Sequence, residues 1–169
     1  RLSSIGVSIK SDGSGIDFDK HKLIEALNDD YDDVVNLLDL GGDITNTTQL
    51  KTLRGGAGLR KVGGNDFRIQ IRDGTTFEIN VSNMRNIAEV MTAINFHASN
   101  PGTLVATLKA DGTGIQITDS TVGTSDLVIT NINGSRAGTD LGISQAGLTS
   151  GSDKVIKGFS IKDRGIFAT

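Results

Sequence analysis

Two periodicities divide the middle of the chain into strands and one helix. Apolar and polar residues alternate in two short runs on either side of Asp73-Gly74, so each run has one face to bury. After these runs the period lengthens to that of a helix, because four apolar residues fall at i, i+3, i+4 and i+7. The pattern predicts a β-hairpin followed by an amphipathic helix, with buried positions at Phe67, Ile69, Ile71, Phe77, Ile79, Val81, Ile87, Val90, Met91 and Ile94.

The ends of this helix also carry recognisable signals. Asn86 is a predicted N-cap, and Glu89 follows three residues later, as in a capping box. The sequence Asn100-Pro101-Gly102 then stops the helix. Ile94 completes the apolar stripe and is expected to pack on the sheet. Asn95 is predicted to hydrogen-bond loop backbone where the helix passes the third strand, and the alternative is a surface amide on the last turn.

Three further strands are predicted after the helix. They lie over 104–108, around 115–117 and over 127–130, and a tight turn containing Asp111, Gly112 and Gly114 joins the first two. The resulting order is β-β-α-β-β-β with short connections. It predicts the α+β class, with an antiparallel β-sheet module that carries one packed helix.

The first 45 residues form a smaller predicted block, a β-hairpin followed by a helix. Residues 2–9 read as a strand, residues 11–15 as a turn, and residues 16–18 as the returning strand. Asp17 or Asp19 is expected to cap the helix, whose apolar stripe runs from residue 23 to 38. An acidic stretch over 28–33 interrupts that stripe, so either two short helices or one broken helix fits. Its carboxylates lack calcium-loop spacing and indicate a solvated connection rather than a cation site.

Glycine content sets the remaining boundaries. We predict a Gly-rich linker over 46–65, the module over 66–143, and a polar connection or the start of a following module over 144–169. Residues 155–161 could form one more strand. The segments 8–19 and 107–118 share Lys, Asp, Gly, Gly and Ile in register, which predicts two similar Asp-Gly hairpins. A decayed internal repeat is the other interpretation.

Composition narrows the function. The net charge is −3 with scattered basic residues, so nucleic-acid and anionic-membrane binding have no electrostatic support. Cysteine is absent, which excludes disulfides, Cys-based zinc sites and thiol catalysis. No apolar run approaches the length of a membrane span. Because the first residue is Arg1, we expect the chain to be an excerpt from a larger protein.

No chemical motif stands out. The stretch RGGAGLRKVGG lacks the spacing of a P-loop, and Lys61 stands where a dinucleotide fingerprint needs its third glycine. His21 and His97 have no partner at metal-binding spacing, and no serine lies in a nucleophile-elbow motif. We therefore predict no catalytic, cofactor-binding or metal-binding residues, no cofactor, and a protein that is not an enzyme.

One run of residues resembles a known family. The sequence FEINVSNMRNIAEVMTAIN, followed by LVATLKADGTGIQITDSTVGTSDLVITN and AGTDLGI, is similar to the flagellin hook IN motif, named for the pair that is Ile94-Asn95 here. The residues that carry the motif include Asn86, Glu89, Ile94, Asn95, Asp111, Gly112 and Gly114. The segment LSSIGVSIKSDGSGIDFDKHKLIEALNDDYDDVVNLL also resembles a stretch of the hook-associated protein 2, or filament cap, family. The order of the segments departs from that family, because a Gly-rich stretch and an IN module follow in place of coiled-coil helices.

The resemblance implies a structural domain of a bacterial flagellar axial protein, exposed on the extracellular flagellum. The implied partners are other flagellar subunits: copies of the full-length protein, flagellin and hook-associated proteins. Host or surface glycans are a further possible partner. The alternative function is an adhesin or carbohydrate-binding module on the same α+β scaffold.

Overall fold

The computed structural model describes residues 2–10, 12–29, 43–145, 148–150 and 153–161 of the 169-residue chain. These residues divide into two compact units, 2–29 and 43–161. The predicted α+β class is confirmed, since antiparallel sheets are combined with short helices. No helix among the described residues is long and apolar enough to cross a membrane.

The first unit is a hairpin followed by a helix. A 3₁₀ helix, Leu2–Ile5, leads into strand β1, Val7–Ile9, which pairs antiparallel with β2, Ile16–Phe18. Helix α1, Lys20–Asp29, begins after Asp19, whose Oδ1 accepts hydrogen bonds from the backbone N–H groups of residues 21 and 22. Asp19 is therefore the cap. The helical pattern beyond residue 29, with most of its acidic stretch, lies outside the described residues.

The predicted strand over residues 2–9 is wrong in its first half. The chain leaves the 3₁₀ helix at Gly6, which adopts φ +80° before β1 begins. A Cβ at this position would lie 2.5 Å from the carbonyl oxygen of Asp19. Only glycine permits both the positive φ and this close approach, and the resulting bend ends the extended pattern.

The second unit contains two antiparallel sheets. The first has the order β4-β3-β7, formed by Thr76–Ile79, Phe67–Gln70 and Val128–Asn131. The second has the order β5-β6-β9-β8, formed by Leu104–Leu108, Ile115–Asp119, Asp153–Lys157 and Leu148–Ser150. Helix α2, Ile87–Asn95, packs on β5, and the short helix α3, Ala137–Asp140, follows β7. The predicted order β-β-α-β-β-β is present, but its strands are divided between two sheets.

The predicted linker over 46–65 is wrong, because this segment belongs to the core. Leu50 and Leu53 are buried with Ile44 in the same apolar cluster as the strands and α2. The backbone carbonyls of Asn46 and Thr48 also accept hydrogen bonds from the first N–H groups of α2. The first N–H groups of a helix have no partner within the helix. The hydrogen bonds from α2 to these two carbonyls therefore hold the segment against the helix.

The predicted boundary at residue 144 is also wrong for the described part of the C-terminal segment. Strand β9 pairs with β6 from Gln116 to Asp119, four of the five residues of that strand, and belongs to the module instead of opening a new one. Ile156 of β9 is only 1% exposed, and Ile161 is buried nearby in the same cluster. Without β9, the edge of β6 and these apolar contacts would be open to solvent.

Candidate functional site

The N-terminus of α2 is capped as the spacing predicts. Asn86 has an extended backbone, and its Oδ1 accepts a hydrogen bond from the Glu89 N–H at 3.0 Å. In a capping box the Glu side chain would accept from the backbone N–H of the N-cap residue, but here it accepts from the residue before the N-cap. Glu89 Oε2 accepts from the backbone N–H of Arg85 at 2.7 Å, while Oε1 lies 3.3 Å from Asn86 Nδ2. Both side chains are thus engaged in starting the helix, where a carboxylate is also favoured by the helix dipole.

The buried face of α2 ends at Ile94. This residue is 0% exposed, like Ile87 and Val90, and Met91 is 9% exposed. The stripe packs into the same core cluster as β5 and β6. Burying an aliphatic side chain of this size stabilises a fold by roughly 1.5–3 kcal/mol relative to exposure. Ile94 therefore fixes the C-terminal turn of the helix on the sheet.

Asn95 forms two hydrogen bonds to one residue of the neighbouring strand. Its Nδ2 donates to the Ala106 carbonyl at 3.0 Å, and its Oδ1 accepts from the Ala106 N–H at 2.6 Å. Backbone bonds at Thr103 and Lys109 show that odd-numbered residues of β5 bond to β6. The even-numbered Ala106 therefore points its backbone groups away from β6. The amide of Asn95 takes the place of a missing strand at this edge.

Asn100 bonds the backbone of Leu104 at the same edge of β5, two residues before Ala106. This role was not predicted from the sequence. Its Oδ1 accepts from the Leu104 N–H at 3.3 Å, and its Nδ2 donates to the Leu104 carbonyl at 2.9 Å. The same Nδ2 lies 3.0 and 3.1 Å from the carbonyl oxygens of Ile94 and Asn95 at the end of α2. The position had been assigned only the role of stopping the helix. The available signal was a second Asn five residues after Asn95, in a turn that returns to β5.

The turn between β5 and β6 is held by its own side chains. Asp111 Oδ1 accepts from the Thr113 N–H at 2.9 Å and from its hydroxyl at 2.7 Å, and these bonds lower the pKa of Asp111. Gly112 adopts φ +69°. A Cβ on Gly114 would lie 2.8 Å from the Phe159 carbonyl oxygen, so a side chain is excluded there. All three residues have turn-forming or packing roles.

The hairpin of the first unit repeats this turn. Asp12 Oδ1 accepts from the Ser14 N–H at 2.9 Å and from its hydroxyl at 2.7 Å, and Gly13 adopts φ +70°. Lys10 N–H bonds the Gly15 carbonyl at 2.9 Å, and the equivalent bond between β5 and β6 is 2.8 Å. The matched sequences therefore form matched Asp-Gly hairpins. Whether they descend from one repeat stays a prediction.

Two buried carboxylates satisfy backbone groups and were not singled out from the sequence. Asp66, 0% exposed, accepts from the N–H groups of Val62 and Val81 and from the Ser135 hydroxyl, at 2.7–2.9 Å. Asp119, also 0% exposed, accepts from the N–H groups of residues 72 and 121 at 2.8 and 2.9 Å. The second carboxylate joins the end of β6 to the second residue after β3. A carboxylate bonded in this way by backbone amides has a structural role.

A third buried carboxylate, Asp140 at the end of α3, is paired with arginine. Its oxygens lie 2.5–3.2 Å from the side-chain nitrogens of Arg60, one accepts from the Arg60 backbone N–H at 2.8 Å, and Arg54 Nε is 3.5 Å away. Burial raises the pKa of Asp140, but the Arg60 hydrogen bonds and the two positive charges outweigh it, so the pKa lies below its ordinary value. This cluster anchors the RGGAGLRKVGG stretch.

His97, one of the two histidines considered for metal binding, also has structural contacts. The ring of His97 stacks on Phe77 with centroids 4.4 Å apart, and its Nδ1 accepts from the Ser99 N–H. Within the described residues, no group of three or more His, Cys, Asp or Glu side chains could hold a metal ion. The structure is an α+β module in which Asn86, Asn95 and Asp111 cap the helix, bond the sheet edge and stabilise a turn.

Comparison with protein-family models, with curated proteins and with solved structures found no significant match to this chain.

Proposed function

We propose that this chain is an exposed structural domain of a bacterial flagellar axial protein, of the hook-associated protein 2 or filament-cap kind. The domain works by shape and contacts, without catalysis. It lies outside the cell on the flagellum, where its surroundings are other copies of the full-length protein, flagellin and hook-associated proteins. The assignment to the flagellum rests on the IN motif and on the similarity of the first block to the cap family.

The observation that supports a structural role is that Ile94 and Asn95, the pair for which the motif is named, both make contacts within the fold. Ile94 is fully buried, and both polar atoms of the Asn95 amide bond to Ala106. Neither side chain is left to act on a ligand. A residue pair that joins a helix to a sheet edge is suited to a unit whose surface, and not a reaction centre, carries out its function.

Immunogold electron microscopy tests the location. Antibodies raised against the purified 169-residue chain are applied to intact cells of the strain that encodes it, with anti-flagellin as a control that marks the filament shaft. We expect gold particles at the distal ends of filaments. Labelling of the cell body with none on flagella would refute the proposal.

A deletion tests the role. Residues 43–161 are removed in frame from the full-length gene, and immunoblots of the culture medium establish that the shortened protein is still exported. We expect shorter filaments, more unpolymerised flagellin in the medium or weaker attachment to surfaces. If export is intact and all three measures match the parent strain, an exposed head domain that contributes to assembly or contacts is excluded.

A further inference from the structure

A cleft in the second unit has an apolar floor. It lies between residues 49–51, residues 57–59 with Lys61, and residues 84–85, and has a volume of about 420 Å³. Leu50, Leu59 and Met84 line it with aliphatic and thioether groups. This volume is within the range of small-ligand sites, which are roughly 300–1,000 Å³. The cleft is large enough for one side chain and the backbone on either side of it.

The rim of the cleft is positively charged in a chain whose net charge is −3. Lys51, Lys61 and Arg85 all line the cleft, and none of the described residues lining it carries a carboxylate. The nearby Glu89 carboxylate already accepts from the Arg85 backbone N–H and lies beside the amide of Asn86. Three cations around an apolar floor are complementary to an anion with an apolar body.

Gly58 forms part of the wall of the cleft in a backbone conformation that favours glycine. Gly58 adopts φ +71°, and a Cβ there would lie 3.4 Å from the Lys51 Cα. Its N–H bonds the Leu53 carbonyl at 3.0 Å, and its carbonyl accepts from Arg54 at 3.1 Å. On the opposite side, the Leu50 N–H bonds the Arg85 carbonyl at 2.8 Å. These bonds fix the cleft before a ligand arrives, which lowers the entropic cost of binding.

The backbone of this wall argues against a bare phosphate as the ligand. The N–H groups of Gly56, Ala57 and Gly58 already bond to carbonyls of residues 52–54. They are therefore committed and do not form an anion-binding nest. None of the described residues that line the cleft has an aromatic side chain that could stack on a sugar ring. An extended peptide can place a side chain on the apolar floor while its carboxylates meet the rim.

We propose that this cleft binds a short acidic peptide segment that carries an aliphatic side chain between carboxylates. The aliphatic side chain is buried against the floor, and the carboxylates pair with Lys51, Lys61 and Arg85. This interaction surface is independent of the flagellar assignment.

Peptide titrations followed by NMR test the proposal with the full 169-residue chain. The probe is acetyl-Asp-Asp-Leu-Asp-Asp-amide. One control peptide replaces its four Asp with Asn, and another replaces its Leu with Ser. We expect saturable shifts of backbone amides confined to residues 49–51, 57–61 and 84–85. Both control peptides should bind at least about fivefold more weakly, and binding of the probe should weaken as salt rises.

Matched variants identify the site. Lys51→Gln with Arg85→Gln removes two rim charges, and Lys157→Gln with Arg136→Gln removes two exposed charges elsewhere in the same unit. The first pair should weaken probe binding about fivefold or more, and the second should leave it within about twofold. The proposal is overturned if no residue shifts at millimolar probe, if the Asn peptide binds equally well, or if the two pairs of variants behave alike.

Discussion

Replacing Asn95 with alanine should measurably weaken the attachment of α2 to β5. The substitution removes both bonds to Ala106, a residue that is only 2% exposed. Water therefore has restricted access to the N–H and carbonyl left behind. Losing two hydrogen bonds should lower the free energy of unfolding by roughly 2 kcal/mol. The higher helix propensity of alanine should raise it by about 0.6 kcal/mol. We expect the free energy of unfolding of the second unit to fall by about 1.5 kcal/mol.

Two measurements check this prediction. Urea unfolding followed by circular dichroism should show a lower midpoint with an unchanged slope. Amide hydrogen exchange should show the Ala106 N–H exchanging faster in the variant, which reports on the edge directly and separates the second unit from the first.

A control on the same helix makes the experiment specific. Thr92 is exposed and lies one turn earlier, so Thr92→Ala leaves the bonds to Ala106 in place. It should raise the free energy of unfolding by no more than the helix-propensity gain of about 0.6 kcal/mol. An unchanged urea midpoint for Asn95→Ala, together with unaltered protection at Ala106, would show that the amide does not stabilise the edge.

Three other changes follow from the structure. Asn100→Ala should cost about 1–3 kcal/mol in urea unfolding, since it frees backbone groups of both β5 and the end of α2. Asp140→Asn should destabilise the chain at pH 7. Because pairing with Arg60 lowers the folded-state pKa of Asp140, the stabilisation is present above the unfolded pKa of 3.8 and is lost as pH falls through the folded pKa. The difference in urea midpoint between parent and variant should therefore shrink below about pH 4, and a constant difference would contradict the ion-pair explanation. Gly114→Ala should cost roughly 1–3 kcal/mol, because its Cβ meets a backbone carbonyl, whereas Gly63→Ala, with nothing within 4 Å, should be near neutral in thermal unfolding.

The local elements of the second unit could be predicted from the order of apolar and polar residues. Period-two and period-3.6 patterns predicted β3, β4 and α2 and their buried faces, because these patterns depend only on which neighbours share a face. Asn86 and the Asp-Gly turns were predictable for the same reason, since their hydrogen bonds span two or three residues. The need of Asn95 for a backbone partner was predicted, because a polar side chain at the end of a buried stripe must be satisfied. Its partner is Ala106 within β5 and not the predicted loop backbone, a distinction that depends on tertiary packing.

The long-range strand pairings could not be predicted from local patterns and are seen only in the folded structure. The pairing of β9 with β6 joins residues 35 to 41 positions apart, and the pairing of β7 with β3 joins residues 58 to 64 positions apart. No local pattern relates such residues or predicts the division into two sheets. The segment over 46–65 looked like a linker because its composition is Gly-rich. Its burial depends on Leu50 and Leu53 meeting apolar surface supplied by distant strands.

The buried charges show the same limit. Asp66 and Asp140 are placed beside donors 69 and 80 residues away in the sequence, at Ser135 and Arg60. A carboxylate is favoured inside a protein only when such donors converge on it. Local hydrogen bonds can be read from neighbouring residues, whereas the burial of a polar group depends on distant donors meeting it in three dimensions.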